Sequence, residues 1–137
     1  MDPVRDTAVV VGRAVCLRRI VTQEDFDRFA RLSGDDNPIH VDRVFCATTR
    51  FGRTLCHGML LHGLLMQVVS TRLVAGAVEL EQELMFPGPI FAGDEVTVRA
   101  EIVRVDRALG HVEVRARISR AVDEVGCSAR TLLSADV

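Results

Sequence analysis

The chain has 137 residues and a mass of 15.1 kDa, which suits one domain with a single hydrophobic core. Nearly half of the residues are hydrophobic (48%), and the formal net charge is only -2. The sequence therefore lacks the basic excess with which proteins bind a phosphate backbone, and we expect no nucleic-acid partner.

The cysteines and the longest apolar stretch indicate the cellular setting. The chain contains four widely spaced cysteines, Cys16, Cys46, Cys56 and Cys127. They form no C-x-x-C motif and we identify no secretory leader, so we expect reduced, mostly buried thiols in a cytoplasmic protein. The most lipid-like run, "GMLLHGLLMQVV", is too short to span a bilayer, and no membrane partner is expected.

A strand and a helix are predicted at the start of the chain. Residues 8–21 carry a β-branched run that is typical of a strand or extended segment. A helix follows from Thr22, because its hydroxyl can cap the first turn and Asp25 completes an approximate capping box. Gly34 then provides a C-terminal stop.

A polar segment, "LSGDDNPIHVD" at residues 32–42, separates this helix from the next apolar region. Pro38 is expected to exclude regular helix here, so the acids and His40 would lie on an ordered turn. A short helical piece is predicted from Asp42 to Thr49. A second helix of about sixteen residues, Gly58–Leu73, is apolar around most of its circumference, so other elements must cover it.

The second half of the chain predicts the sheet that covers this helix. Strand candidates lie at residues 77–86, 94–105, 111–119 and 126–135. The third alternates apolar and polar residues, as expected for one buried and one wet face. In the second, the alternation slips at Ile102 and Val103, which indicates a bulge or a local change of facing. We predict an α+β fold in which a curved antiparallel sheet of about five strands wraps around one long central helix.

Asp35 and His40 are the strongest candidates for chemistry. They are five residues apart across a proline turn, so their side chains could converge on one water. A carboxylate and an imidazole that share a water can move its protons, which is general acid and base catalysis. The alternative is a turn whose side chains satisfy their own backbone, with His40 capping a helix. The spacing alone leaves both readings open.

Gly58 is a second candidate, because it lies at the predicted start of the central helix. Free N–H groups and the positive end of the helix dipole could stabilise a developing oxyanion there. The alternative is a glycine that allows tight helix packing. His57 and His62 are five residues apart and do not share a helical face, so a metal pair is disfavoured and core or supporting roles are expected.

The run "FARLSGDDNPIHVDRVFCATTRFGRTLCHGMLLHGL" (29–64) resembles the signature of the MaoC-like (R)-specific enoyl-CoA hydratases and dehydratases, which have the hot-dog fold. That signature reads roughly S/G-G/E-D-x-N-P-h-H, followed by H-G-M. The matching positions are Ser33, Asp35, Asn37, Pro38, Ile39, His40, Ala47, His57, Gly58 and Met59. "FPGPIFAGDEV" (86–96) resembles the family's F-x-x-P-h-x-x-G-D-x-h motif. The resemblance covers roughly residues 8 to 133 and implies one hot-dog domain over residues 1–137.

The resemblance implies that Asp35 and His40 activate one water against the β-carbon of a trans-2-enoyl thioester. The Gly58 N–H would hold the thioester oxygen as it gains enolate charge. Syn addition would give an (R)-3-hydroxyacyl thioester, and the reverse reaction is dehydration. Supporting roles are implied for Asn37, Pro38, His57, Met59 and Met66, the last at a position where some relatives carry a serine.

The same resemblance implies no metal and no redox cofactor. Coenzyme A or an acyl carrier protein would carry the substrate. Its phosphates would meet arginines such as Arg50, Arg53 or Arg72, among which the sequence does not choose. Because family members usually pair two hot-dog units, a homodimer is expected.

Two other functions fit the same fold. A hot-dog thioesterase needs a carboxylate aimed at the thioester carbonyl, often on the central helix, and residues 59–73 contain no acid. A non-catalytic acyl-binding or assembly subunit would have lost the chemistry, whereas Asp35, His40 and Gly58 are all present. The hydratase is therefore the favoured function.

Overall fold

The computed structural model describes residues 8–121 and 123–136. In chain order the elements are β1 (Ala14–Ile20), α1 (Gln23–Ser33), α2 (Pro38–Val41), α3 (Arg43–Ala47), α4 (Gly58–Val68), a π-helical segment (Val69–Leu73), β2 (Val78–Met85), β3 (Glu95–Asp106), β4 (His111–Ser119) and β5 (Val125–Ser134). The predicted α+β architecture, with five strands and one long central helix, is confirmed. The predicted domain limits at residues 1 and 137 lie outside the described residues.

The five strands form one antiparallel sheet in the order β1-β3-β4-β5-β2. The predicted alternation in β4 is confirmed, because its apolar residues Val112, Val114, Ala116 and Ile118 are all buried. The predicted bulge in β3 is also confirmed, since the register with β4 shifts between Ile102 and Arg104. The pattern of apolar residues therefore determines which face of the sheet meets the core.

Helix α4 lies in the core and packs against β1, β3, β4 and β5. Its residues Leu61, Leu65 and Val68 have at most 2% of their surface exposed. The predicted extent, Gly58–Leu73, is confirmed, but the last five residues are π-helical: the Val74 N–H donates to the carbonyl of Val69, five residues back. In the described part of the chain, no helix is long and apolar enough to cross a membrane.

Helix α1 begins and ends where its capping residues predict. The Thr22 hydroxyl accepts a hydrogen bond from the Asp25 N–H, and the Asp25 carboxylate accepts one from the Thr22 N–H. Gly34 ends the helix with a φ of 79°, a left-handed conformation that glycine adopts without strain. The helix buries Phe26 and Ala30 and thereby sets where the following polar segment starts.

The expectation that Pro38 excludes helix is wrong. Pro38–Val41 forms the single turn α2, with Asn37 as its N-cap; the Asn37 side-chain oxygen accepts from the Ile39 N–H at 3.1 Å. Proline is tolerated at the first helical position because the N–H that it lacks would have no partner there. His40 therefore lies in a helical turn, and Asp42 caps the short predicted helix α3.

The four cysteines are free. Cys46, Cys56 and Cys127 are buried, whereas Cys16 is exposed. The prediction of mostly buried thiols is thus confirmed. Burial raises the pKa of the Cys127 thiol to about 11, so this thiol stays protonated in the core.

Candidate active site

The short helix α2 brings Asp35 and His40 together. Asp35 follows the end of α1, and His40 occupies the turn that Asn37 and Pro38 initiate. The Asp35 Oδ2 lies 3.9 Å from the His40 Nε2. This separation is too long for a direct hydrogen bond, but both atoms can contact one bridging water. The Asp35 side chain is 53% exposed and that of His40 is 14% exposed.

Hydrogen bonding assigns the tautomer of His40. Its Nδ1 lies 2.8 Å from the main-chain carbonyl of Leu55. A carbonyl only accepts, so Nδ1 carries the hydrogen in the neutral ring and Nε2 carries a lone pair. That lone pair belongs to the nitrogen nearest the Asp35 carboxylate. The ring is therefore arranged to accept a proton at Nε2.

The main chain around Asp35 is held from both sides. Its N–H donates to the Ser33 hydroxyl at 3.1 Å, and its carbonyl accepts from the His57 Nε2 at 2.9 Å. The carboxylate oxygen Oδ1 accepts from the Asn37 N–H at 3.4 Å. These bonds leave Oδ2 as the carboxylate oxygen that faces His40.

The polar segment and the residues before α4 are joined by three hydrogen bonds. The Leu55 N–H donates to the Ile39 carbonyl at 2.9 Å, in addition to the bonds from His40 to Leu55 and from His57 to Asp35. The Cys56 N–H in turn donates to the Ile90 carbonyl at 2.7 Å, beside the isolated bridge that pairs Leu55 with Phe91. Hydrogen bonds thus join two segments that are distant in sequence into one site.

His57 contacts both Asp35 and His40. It is 2% exposed, and its ring stacks on that of His40 with centroids 3.9 Å apart and an angle of 25° between the planes. Burial lowers the pKa of His57; the hydrogen bond to Asp35 acts in the opposite direction, and the neighbouring His40 adds to the lowering. The ring is therefore neutral near pH 7, as expected for a buried supporting residue.

Gly58 begins α4, so its N–H belongs to the first helical turn, which has no intrahelical acceptor. His57, the N-cap, makes no side-chain cap bond. A cavity of about 520 Å³ opens here. Its lining includes Asp35, Arg50, His57, Gly58, Met59 and Phe86. The predicted carboxylate and the predicted oxyanion donor thus border the same space.

Phe86, a residue that the site prediction did not name, packs over Gly58. A Cβ at position 58 would lie 2.7, 2.9 and 3.0 Å from three atoms of the Phe86 ring. Close packing therefore accounts for this glycine as directly as oxyanion binding does, and both readings of Gly58 remain compatible with the structure. The motif "FPGPIFAGDEV" contained the signal for Phe86, which is its first residue.

Several predicted residues do not line this cavity, and His40 is one of them; it lies next to Asp35, which does. Met66 is partly buried against the core and does not line this cavity, so its influence on the acyl chain stays a prediction. His62 pairs with Glu79, whose Oε1 lies 3.3 Å from the His62 Nε2. Of the helix residues that the prediction named, Met59 is the one that borders the cavity beside Gly58.

Asp35, His40 and His57 also form a group whose potential metal-ligand atoms all lie within 4.8 Å of one another. In the hydrogen-bonded tautomers, Nδ1 of His40 and Nε2 of His57 are both donors to carbonyl groups. Each ring thus offers one nitrogen lone pair at most. Proton transfer by Asp35 and His40 needs no ion, and the expectation of no metal stays a prediction.

Comparisons with known proteins show which family the chain resembles. Residues 8–123 match the family model described as MaoC like domain. The chain is 38% identical over 108 residues to the (R)-specific enoyl-CoA hydratase of Aeromonas caviae, covering 77% of this chain and 81% of that protein. It is 38% identical over 96 residues to the 3-hydroxybutyryl-CoA dehydratase of Methylorubrum extorquens, covering 69% of this chain but only 61% of that protein.

A solved structure shows the same fold. The structure described as an (R)-hydratase from A. caviae involved in PHA biosynthesis superposes with a TM-score of 0.89 at 31% sequence identity. The superposition covers 93% of this chain and 98% of that one. The predicted hot-dog fold is thereby confirmed.

Replacing Gly58 with alanine tests the packing against Phe86. We expect G58A to lower the free energy of unfolding by about 1 kcal/mol, because the added methyl group displaces the half-exposed Phe86 ring. In an F86A background the same change should be neutral or slightly stabilising, since alanine favours the helix. Urea denaturation of all four proteins measures the coupling. An equal cost in both backgrounds would refute the contact as the reason for glycine.

Proposed function

The chain belongs to the MaoC-like domain family, and from this membership we propose that it is an (R)-specific enoyl-thioester hydratase. This hydro-lyase adds water reversibly to a trans-2-enoyl thioester and forms an (R)-3-hydroxyacyl thioester. One observation carries the proposal: Asp35 Oδ2 and His40 Nε2 lie 3.9 Å apart beside the helix N-terminus that begins at Gly58. Related proteins with this activity support it.

His40 carries out both proton transfers, and Asp35 orients the reacting water. A water between them donates one hydrogen to the His40 Nε2 and the other to the Asp35 Oδ2. His40 removes a proton as the water oxygen bonds to the β-carbon, and the electron pair of the double bond moves toward the thioester. The His40 imidazolium then returns its proton to the α-carbon on the same face. Water is thus added syn with no net loss or gain of protons.

The Gly58 N–H stabilises the negative charge that forms on the thioester oxygen during this step. Electron density moves onto the thioester oxygen when the β-carbon is attacked, and the Gly58 N–H and the helix dipole oppose that charge. Losing one such donor typically costs about 3–4 kcal/mol in the transition state. No metal or redox cofactor enters this chemistry, and the substrate itself brings its thioester carrier.

Cys56 also borders the cavity, and an enoyl thioester reacts readily with thiolates. Burial raises the pKa of the Cys56 thiol, with further contributions from Asp25 and Cys127. The Cys56 side chain stays protonated and donates to the His57 carbonyl at 3.4 Å. A protonated thiol is a poor nucleophile, so water rather than sulfur adds to the substrate.

The arrangement of the site favours a hydratase over the two other functions of this fold, a thioesterase and a non-catalytic acyl-binding subunit. A thioesterase needs a carboxylate aimed at the thioester carbonyl, often on the central helix, and residues 59–73 contain no acid. Among the residues that line the cavity, Asp35 is the acid, and it pairs with His40. An acyl-binding subunit without activity would not require this pair. Chiral analysis of the product separates these functions, because hydration forms an alcohol and hydrolysis does not.

Substitution of the pair tests the function directly. We expect D35N and H40A each to lower kcat by about 10²- to 10⁴-fold, because each removes a partner of the reacting water. The decrease in enoyl ultraviolet absorbance with crotonyl-CoA measures the rate, and chiral analysis identifies the alcohol. D36N is the matched control, since Asp36 is an exposed neighbour of the pair and should change kcat by less than about twofold. A wild type that hydrates no enoyl thioester, or makes the (S)-alcohol, would rule out the proposal.

Arg50 is the arginine of the three candidates that borders the cavity. It is exposed and lies over the Phe51 ring at 4.7 Å, whereas Arg53 packs on Phe91 at 3.9 Å. We expect R50A to raise KM for a coenzyme A thioester by about tenfold with little change in kcat, because a phosphate contact is lost.

The control for Arg50 uses a substrate without phosphates. With an N-acetylcysteamine enoyl thioester, R50A and wild type should have the same KM. R43A, which removes an exposed arginine of α3, should leave KM unchanged with both substrates. An equal effect of R50A on both substrates would contradict a phosphate contact.

A homodimer joined along β2 is the expected assembly. β2 is an edge strand, and Val78, Leu80 and Met85 on it are 62%, 51% and 66% exposed. A long exposed edge with apolar residues favours pairing with another strand. We expect sedimentation equilibrium to give twice the 15.1 kDa chain mass, and L80E/M85E to give monomers. L109E, in the β3–β4 turn, is the control and should remain dimeric; a monomeric wild type would exclude this assembly.

A further inference from the structure

His57 is a polar ring enclosed by aromatic side chains. Phe29 lies 4.7 Å away in a tilted arrangement, and Phe26 approaches edge-on at 6.4 Å. The His40 ring stacks on it at 3.9 Å. A phenylalanine could pack in such a setting without any polar atom to satisfy, so an imidazole here calls for a reason.

The hydrogen bonds of His57 indicate that reason. Its Nε2 lies 2.9 Å from the Asp35 carbonyl and must therefore carry the hydrogen. Its Nδ1 is buried and has no partner among the described residues. One nitrogen thus remains unsatisfied while the other supports the carboxylate-bearing residue, which is the pattern of a buried polar group kept for a particular contact.

We propose that His57 is a positioning residue for the hydration step. It fixes the main chain of Asp35 through its Nε2 hydrogen and fixes the plane of the His40 ring by stacking. Both members of the pair are thus held against one rigid side chain. This inference rests on the proposed function for its kinetic consequence, but its geometric basis does not depend on the substrate.

Asp35 and His40 can act together only if both side chains are held in fixed positions. The Asp35 side chain is half-exposed and lies in the segment that follows α1, so little packing restrains it. Among the described residues, two hydrogen bonds hold the Asp35 main chain: its N–H donates to the Ser33 hydroxyl, and its carbonyl accepts from His57. A displacement of about 1 Å in a reacting group can reduce a rate about 10²-fold. Loss of the His57 donor therefore falls on catalysis rather than on substrate binding.

The stack also matches the charge changes of the reaction. His40 becomes positive when it takes the proton of the water, and a neutral aromatic face beside a cation is favourable. The titratable groups that face His57 are His40 and Asp35. A second positive ring at this distance would be repelled. The buried, neutral state of His57 is thus the state that the step requires.

Two substitutions separate the ring from its hydrogen-bond donor. H57F keeps an aromatic ring against His40 and removes the donor, whereas H57Q restores a side-chain N–H without a ring. We expect H57F to lower kcat by about 10- to 100-fold with KM changed less than about threefold. H57Q should recover at least about a third of the lost activity on a logarithmic scale. H111F is the control, because His111 lies at the start of β4 outside the cavity lining, and it should retain wild-type kcat.

A double-mutant cycle distinguishes positioning from general packing. In an H40A background, H57F should lower the remaining kcat by less than about twofold, because His57 acts through the pair. Thermal unfolding of each variant reports whether the fold is intact. The proposal is overturned if H57F retains wild-type kcat, or if its effect is the same with and without His40.

Imidazole nitrogen NMR tests the arrangement without any substrate. In the wild type, His57 should be a neutral Nε2–H tautomer near pH 7, and neutral His40 should be the Nδ1–H tautomer. H57Q should shift the His40 ring resonances through loss of the stack. A wild-type protein without turnover would contradict the proposed function. The spectra would still test whether His57 holds Asp35 and His40 in place, because they need no substrate. A His57 that titrates like a free histidine, or carries its hydrogen on Nδ1, would overturn the inference.

Discussion

Burial of helix α4 inside the sheet is the constraint on which the rest of the structure depends. The helix is apolar on most of its faces, and Leu61, Leu65 and Val68 can leave water only if strands cover them. The sheet does so with β1, β3, β4 and β5. Once the helix is enclosed, the position of its first turn follows. His57 and Gly58 are consequently placed by the core rather than by a surface loop.

The site is built where the residues before α4 meet the polar segment after α1. Hydrogen bonds run in both directions between them, from His40 to Leu55 and from His57 to Asp35. Each histidine uses one nitrogen to bind the main chain of the other segment. The same bonds that join the segments also select the tautomers, so the fold leaves the lone pair of the neutral His40 ring on Nε2, the nitrogen nearest Asp35.

Local patterns predicted much of the fold. The Thr22 and Asp25 capping box, the alternation in β4 and the bulge after Ile102 depend on neighbouring residues, and the structure confirms them. The prediction failed at Pro38, where a proline begins a helix instead of preventing one. Position within a helix decides the effect of proline, and the residue alone does not reveal that position.

The sequence by itself determined most of the secondary structure and the buried helix, because these depend on periodicity, and the short spacing of Asp35 and His40 made them a candidate pair. The tertiary structure decided three things: that Phe86 covers Gly58, that His57 stacks on His40, and that Arg50 borders the cavity whereas Met66 does not. Phe86 and Gly58 are 28 positions apart in the chain, and His57 and His40 are 17 apart. Contacts over such separations arise only when the enclosed helix and the sheet bring distant segments together, and no local pattern encodes them.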